Sequence, residues 1–244
     1  MKGTLLENCS WLEAEALLNE NTLVVIPLGA SSKEHGPHLK LNNDLVMAEY
    51  FRDCLLEQVE AVATPTIGYH FYPAFTEYPG SISLRLETAR DLVIDICRSL
   101  TIYGPRRFYV LNTGISTLRA LRPAAEQLAT EGVLLTFTDI DRTTLAEEAI
   151  IEQEGGTHAD EVETSMMLQI APASVDMTKA LKDFHPGKGG LTRDPLKAGA
   201  FSASGVYGDA TLATAEKGKV FLQARMAEIL QDIRELEAAP LPHR

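Results

Sequence analysis

The stretch Thr22-Leu23-Val24-Val25-Ile26-Pro27-Leu28 is apolar at every position after Thr22. A strand with one face in water would alternate apolar and polar residues, so this run reads as a strand covered on both faces, the habit of a parallel sheet between helices. Upstream, Ser10 and Glu13 stand at capping-box spacing, and Trp11, Leu12, Ala16, Leu17 and Leu18 recur at helical intervals, which predicts a helix over 10–19. Downstream, Leu45, Val46, Phe51, Leu55 and Val59 give the apolar face of a second helix. Residues 61–67 then read as a second strand, 86–102 as a helix, 108–112 as a third strand, 117–131 as a helix and 133–138 as a fourth strand. The region 172–208 is punctuated by Gly and Pro and reads as an irregular excursion, and 209–238 as a long final helix. This rhythm predicts an α/β fold, a three-layer α/β/α sandwich with a mostly parallel central sheet, and residues 1–244 as a single domain. Right-handed crossovers then bring the loops after Leu28, Ile67 and Leu111 together at the strands' carboxyl ends, where ligands bind in such sheets.

Composition narrows the function classes. The chain has 244 residues, 45% of them hydrophobic, and a formal net charge of -12. That length suits one sizeable core, and that charge argues against nucleic acid or an anionic membrane surface as the main partner, since both attract basic patches. A small-molecule substrate and protein partners remain. Cys9, Cys54 and Cys97 are far apart and odd in number, so they read as reduced thiols and suggest the cytoplasm. The first residues show no signal-peptide pattern, and no apolar run approaches the ~20 residues that span a bilayer.

The loop after the first strand carries the densest chemistry. Glu34, His35, His38 and Asp44 lie within eleven positions. Carboxylates and imidazoles bind Zn, Mn or Fe well, and a strand-end loop can converge them. Each also has a plain structural explanation: a solvated loop for Glu34 and His35, a backbone partner for His38, a helix cap for Asp44. A second group, His158 with Asp160, Glu161 and Glu163, sits at the start of another helix after Gly155 and Gly156. Asp160 and Glu161 are explained by the helix N-terminus, whereas Glu163 lies further in. His158 and Glu163 could serve as general base and orienter of a bound water. His70 and Glu77 flank the aromatic loop of Tyr69, Phe71, Tyr72 and Phe75, which reads as pocket wall or simple packing. His185 and His243 are assigned no role, and Ser116 lacks the G-x-S-x-G elbow of a serine hydrolase.

Taken together, four segments resemble the creatininase (creatinine amidohydrolase) family: Ile26-Pro27-Leu28-Gly29-Ala30 with His35-Gly36-Pro37-His38-Leu39 and Asp44; Tyr78-Pro79-Gly80-Ser81-Ile82-Ser83-Leu84; His158 with Glu163-Thr164-Ser165; and Gly205-Val206-Tyr207-Gly208-Asp209 with Ala213-Thr214-Ala215-Glu216-Lys217-Gly218. The resemblance implies a site at the strand ends that holds divalent metal, and hydrolysis of a cyclic or linear amide by a metal-activated water. It implies His35 as a ligand, Asp44 as a carboxylate bridging two metals, His158 and Glu163 as catalytic or pocket groups, and a homo-oligomer, a hexamer in the family.

Two departures alter that picture. The family's Glu-Gln-His is here Lys33-Glu34-His35, so strict register puts Lys33 at the ligand position, while a one-residue bulge would offer Glu34. The second is preferred, because an ammonium beside a dication is repelled. After the third strand the family's His and acidic residue are replaced by Gly114 and Ser116. The expectation is therefore one divalent ion per chain, Zn, Mn or Fe, held by Glu34, His35 or His38, and Asp44, in a hydrolase of a C–N bond in a small molecule. The alternative is a catalytically impaired protein of the same fold that binds a small ligand or a partner subunit.

Overall fold

A computed structural model describes residues 1–140 and 145–243 of the chain. In chain order its regular elements are β1 (Thr4–Leu5), α1 (Trp11–Leu17), β2 (Leu23–Leu28), α2 (Asn43–Gln58), β3 (Val62–Ala63), α3 (Leu86–Thr101), β4 (Arg107–Asn112), α4 (Leu118–Thr130), β5 (Leu134–Phe137), α5 (Leu145–Glu148), α6 (Glu161–Ile170), β6 (Lys182–Asp183), β7 (Leu191–Thr192), β8 (Ala200–Phe201), β9 (Gly208–Asp209) and α7 (Ala215–Ala238). The first five strands form one sheet in the order β1-β3-β2-β4-β5, and every pairing in it is parallel.

The three layers follow from strand alternation. Side chains point to opposite faces at successive positions. Leu23 and Val25 of β2, with Tyr109 and Leu111 of β4, enter one core with Phe51 and Leu55 of α2, Met166 of α6 and Phe221 and Leu222 of α7. Val24, Ile26 and Leu28, with Phe108 and Val110, enter a second core with Val93, Ile94 and Cys97 of α3 and Leu121, Ala124 and Leu128 of α4. The sheet is thus covered on both faces, as its continuous apolar run requires. Among the described residues no helix is long and apolar enough to cross a membrane.

Several element boundaries differ from the sequence reading. The strand predicted over 61–67 shortens to Val62–Ala63. Pro65 has no N–H to donate to a ladder, and the chain rejoins the sheet only as a single bridge between Leu28 and Ile67. The final helix begins at Ala215, with Thr214 accepting from Lys217 N at 3.2 Å, because Ala210–Leu212 first form a 3₁₀ turn after Asp209. Asp44 is not a cap: Asn42 precedes the helix, and Asp44 lies in its first turn with its side chain turned inward. The short strand β1 has no counterpart in the sequence reading.

Candidate functional site

The carboxyl ends of β2 and β4 and the segment after β3 meet through backbone bonds. Gly29 N donates to Ile67 O at 3.1 Å, Ser31 N to Gly68 O at 2.8 Å, and Thr113 N to Leu28 O at 3.2 Å. The three loops expected to converge do so.

Residues 33–44 fold inward at this meeting point. His35 Nε2 lies 2.7 Å from Asp44 Oδ1 and its Nδ1 lies 2.9 Å from Lys33 O. Lys33 Nζ lies 2.6 Å from Asp44 Oδ2, with Lys33 4% and Asp44 0% exposed. Burial by itself would raise the Asp44 carboxyl, but the facing Lys33 and His35 outweigh it and hold the group well below the usual carboxylate range. The ammonium also stands 4.7 Å from the Phe75 ring centre and 5.7 Å from that of Tyr72. Those two aromatic residues, which suited simple packing in the sequence, therefore wall a buried cation.

The start of α6 supplies the second group. Ala159 adopts φ 48, a left-handed conformation rare for a residue with a Cβ, directly between His158 and the helix. That turn lets Ala159 N donate to Glu163 Oε2 at 2.6 Å while His158 faces back toward residues 34 and 35. Asp160 caps α6, accepting from the backbone N–H groups of Val162 and Glu163 at 3.0 Å each. His158 Nε2 lies 2.9 Å from Glu34 O and 3.2 Å from Glu34 Oε2, and its Nδ1 lies 3.7 Å from Glu163 Oε2. Burial pushes the Glu163 carboxyl up to about 7; His158 and Lys33 oppose the shift, and Asp44 and Asp160 reinforce it.

Ligating atoms of His35, His158 and Glu163 all lie within 4.8 Å of one another. Two imidazoles and one carboxylate make a donor set that suits Zn, Mn or Fe, and His35 joins it only by giving up the contact of its Nδ1 with Lys33 O, since Asp44 occupies its Nε2. Glu34 and His38 make other contacts around this group. The Glu34 carboxylate accepts from Gly36 N, pairs with His158, and presses against Gly205, where a Cβ would overlap it. Burial raises the Glu34 carboxyl, and His158 leads the influences that bring it below its ordinary value. His38 Nε2 lies 2.8 Å from Thr164 Oγ1, and burial, helped by His35 and His158, lowers its imidazole to about 4.

The loop after β4 offers no ligand. Asn112 Oδ1 accepts from Gly114 N at 3.1 Å and from Thr117 Oγ1 at 2.6 Å, and Ser116 Oγ donates to Phe71 O at 3.0 Å. His70 Nε2 lies 3.0 Å from Ala89 O, away from the site, and burial lowers its imidazole to about 4. Glu77 joins Lys197 at 2.8 Å and Thr192 Oγ1 at 2.9 Å, tying β7 and its neighbourhood to the aromatic loop. His185 is exposed beside Asp183, at 3.4 Å. Lys33, His158 and Glu163 reach the wall of a cavity of about 780 Å³, with Gly114, Ser116, Glu77 and Thr192 among its other lining residues. Asp44 and His35 stand behind that wall. Lys33, which the sequence reading weighed at the ligand position and set aside in favour of Glu34, enters this centre as the partner of Asp44.

Buried imidazoles, carboxylates and one ammonium at the strand ends of an α/β/α sandwich define a class of proteins that place polar chemistry at a sheet's carboxyl edge. A family model described as creatininase, creatinine amidohydrolase, matches residues 7–233, and the chain belongs to that family. It is 30% identical over 208 residues to a mycofactocin precursor peptide peptidase of Mycobacterium ulcerans (strain Agy99), covering 80% of this chain and 78% of the relative. It is 28% identical over 261 residues to a creatinine amidohydrolase of Pseudomonas putida, covering 96% and 97%. A solved structure described as a manganese creatininase superposes with a TM-score of 0.78 at 24% identity, covering 98% of this chain and 100% of that one.

Proposed function

We propose that the chain is a hydrolase that cleaves a C–N bond, in an amide or cyclic amide of a small molecule, with one divalent ion held by His35, His158 and Glu163. The observation that carries this reading is the mutual approach of those three ligand groups, two of them on the wall of a cavity at the sheet's carboxyl end. Zn, Mn or Fe all suit the donor set, and the manganese of the solved creatininase favours testing that ion first. When bound, the ion supplies Lewis-acid polarisation and lowers the pKa of a water.

The chain's own residues then have distinct tasks. Asp44 holds His35 through its Nε2, and the Glu34 carbonyl and carboxylate hold His158 through its Nε2, so both rings are oriented from outside the cavity. With no ion beside it, burial pushes the Glu163 carboxyl up to about 7, so a proton and the ion compete for this group. As a ligand carboxylate it must be deprotonated, so ion affinity falls as the pH drops below about 7. The cavity's size and the relative named a precursor peptide peptidase put short peptides beside cyclic amides as candidate substrates.

The test has two parts: elemental mass spectrometry on protein purified without chelator or affinity-column metal, and turnover of creatinine, linear amides and short peptides with and without chelator. The expected result is bound metal, chelator-sensitive turnover of at least one of these, and loss of that turnover in His158→Ala. Turnover indifferent to chelator and to His158→Ala would sink the reading. The self-bonded loop at 112–117 favours a second one, a protein of this fold that binds a small ligand or a partner subunit without turnover. Saturable binding unchanged by chelator, with no product, would establish that alternative. A homo-oligomer, hexameric as the family resemblance implies, belongs to the same proposal and is read by sedimentation.

A further inference from the structure

We infer that the Lys33 ammonium is a resident cation occupying the place beside Asp44 that a second divalent ion would need, so that the centre accepts one ion and not two. The inference rests on the single-ion reading above and concerns a residue outside its ligand set. Both oxygens of Asp44 are already engaged: Oδ2 by Lys33 Nζ at 2.6 Å and Oδ1 by His35 Nε2 at 2.7 Å. Asp44, the carboxylate that the family resemblance casts as a bridge between two metals, is fully buried. A dication brought to Oδ2 would meet the ammonium at close range in a dry environment, where like charges repel most strongly.

The ammonium is also held where it is. Phe75 and Tyr72 present their rings to it at 4.7 and 5.7 Å, the kind of contact that retains a cation. Across the site, the loop after β4 offers no ligand in its place. Gly114 has no side chain, and a Cβ there would meet Thr117 Cγ2 at 3.1 Å before the Tyr72 ring at 3.6 Å, so the threonine lies closest to that space. Ser116 Oγ is committed to Phe71 O at 3.0 Å and Thr117 Oγ1 to Asn112 at 2.6 Å, while His38, held by Thr164 at 2.8 Å through Nε2, keeps Nδ1 without a partner. Charge balance at Asp44 is thus met by a covalently attached cation, without recourse to a second ion.

The experiment is equilibrium dialysis of the full chain against Mn²⁺ or Zn²⁺, counted by elemental mass spectrometry, on the wild type, Lys33→Glu and Lys33→Met, the variants purified in the presence of the ion. Thermal melting with and without ion is read in parallel. The wild type is expected to take about one equivalent. Lys33→Glu is expected to take about one more, and Lys33→Met to show a larger ion-dependent rise in Tm than the wild type. Two tightly held equivalents in the wild type would overturn the inference even if neither variant folds. So would variants that fold yet take no more ion than the wild type and show no greater rise in Tm. No ion in the wild type with one in Lys33→Glu would leave standing that Lys33 holds an ion's place beside Asp44 and would remove the single-ion hydrolase reading. No ion in any of the three would remove both.

Discussion

The loops that follow β2 and β4 leave neighbouring strands at the same end of the sheet, yet they use that position in opposite ways. The first carries Lys33, Glu34, His35 and His38 and delivers Asp44, and these side chains reach beyond their own loop to α6, Thr164 and His158. The second, Thr113 to Thr117, bonds largely to itself and to the Asn112 at its base, with Ser116 reaching only the Phe71 carbonyl. Strand-end placement therefore makes side chains converge without making them reactive. Chemistry needs groups that are buried together yet left with capacity for something outside the protein.

That contrast breaks first at Asp44. Asp44→Ala leaves Lys33 and its charge buried without a carboxylate, and breaking a buried pair in this way costs roughly 3–5 kcal/mol. Urea unfolding measures the loss directly. A cost no larger than that of a surface substitution would mean that Lys33 escapes to water and that the first loop is as chemically idle as the second.

The charged loop should also make stability depend on pH. His38 is lowered from an ordinary 6.5 to about 4, chiefly by burial. Between those two values the unfolded chain binds a proton that the folded chain does not, so this contribution is complete above pH 6.5 and is lost as the pH falls toward 4. Its size is roughly 3 kcal/mol at about 1.36 kcal/mol per pKa unit. His70, also lowered to about 4, adds a second contribution of the same sign in the same window. Urea unfolding at several pH values should show the decline, and His38→Gln should flatten part of it and leave the His70 part. An undiminished slope in His38→Gln would show that the first loop's imidazole titrates freely.

The smallest effect belongs to the second loop. Ser116→Ala removes one partly exposed hydrogen bond to Phe71 O, worth about 1 kcal/mol or less. Metal content should be unchanged. A loss of bound metal in this variant would show that the loop after β4 contributes a ligand after all, and the distinction between the two loops would collapse.

Much of the fold was legible because it rests on local periodicity. The apolar run at 23–28 is buried throughout, and the helices at 86–101 and 118–130 bury apolar faces, whereas the helix at 43–58 buries Phe51 and Leu55 of its expected face together with Asn43, Asp44 and Arg52 and leaves Leu45, Val46 and Val59 partly buried. The element ends were less legible. Pro65 truncates a strand that hydropathy alone extends to Ile67, and a 3₁₀ turn delays the last helix by six residues from 209 to 215. At the site, His35, His158 and Glu163 were singled out by residue type and do come together. The directions of Glu34 and His38 were not readable, because a side chain in a loop can turn either way until its partners, Gly205 and Thr164, arrive from more than a hundred residues away.

By itself, then, the sequence determined the alternation of strands and helices, the parallel sheet and the loop that carries the polar groups. Each of these depends on side-chain type at short spacing. Only the tertiary structure decided that Lys33 pairs with Asp44, that His158 stands between Glu34 and Glu163, and that burial pushes the Glu163 carboxyl upward. Those are consequences of distance and burial between segments remote in the chain, and charge interactions in a dry interior depend on both far more steeply than on residue identity.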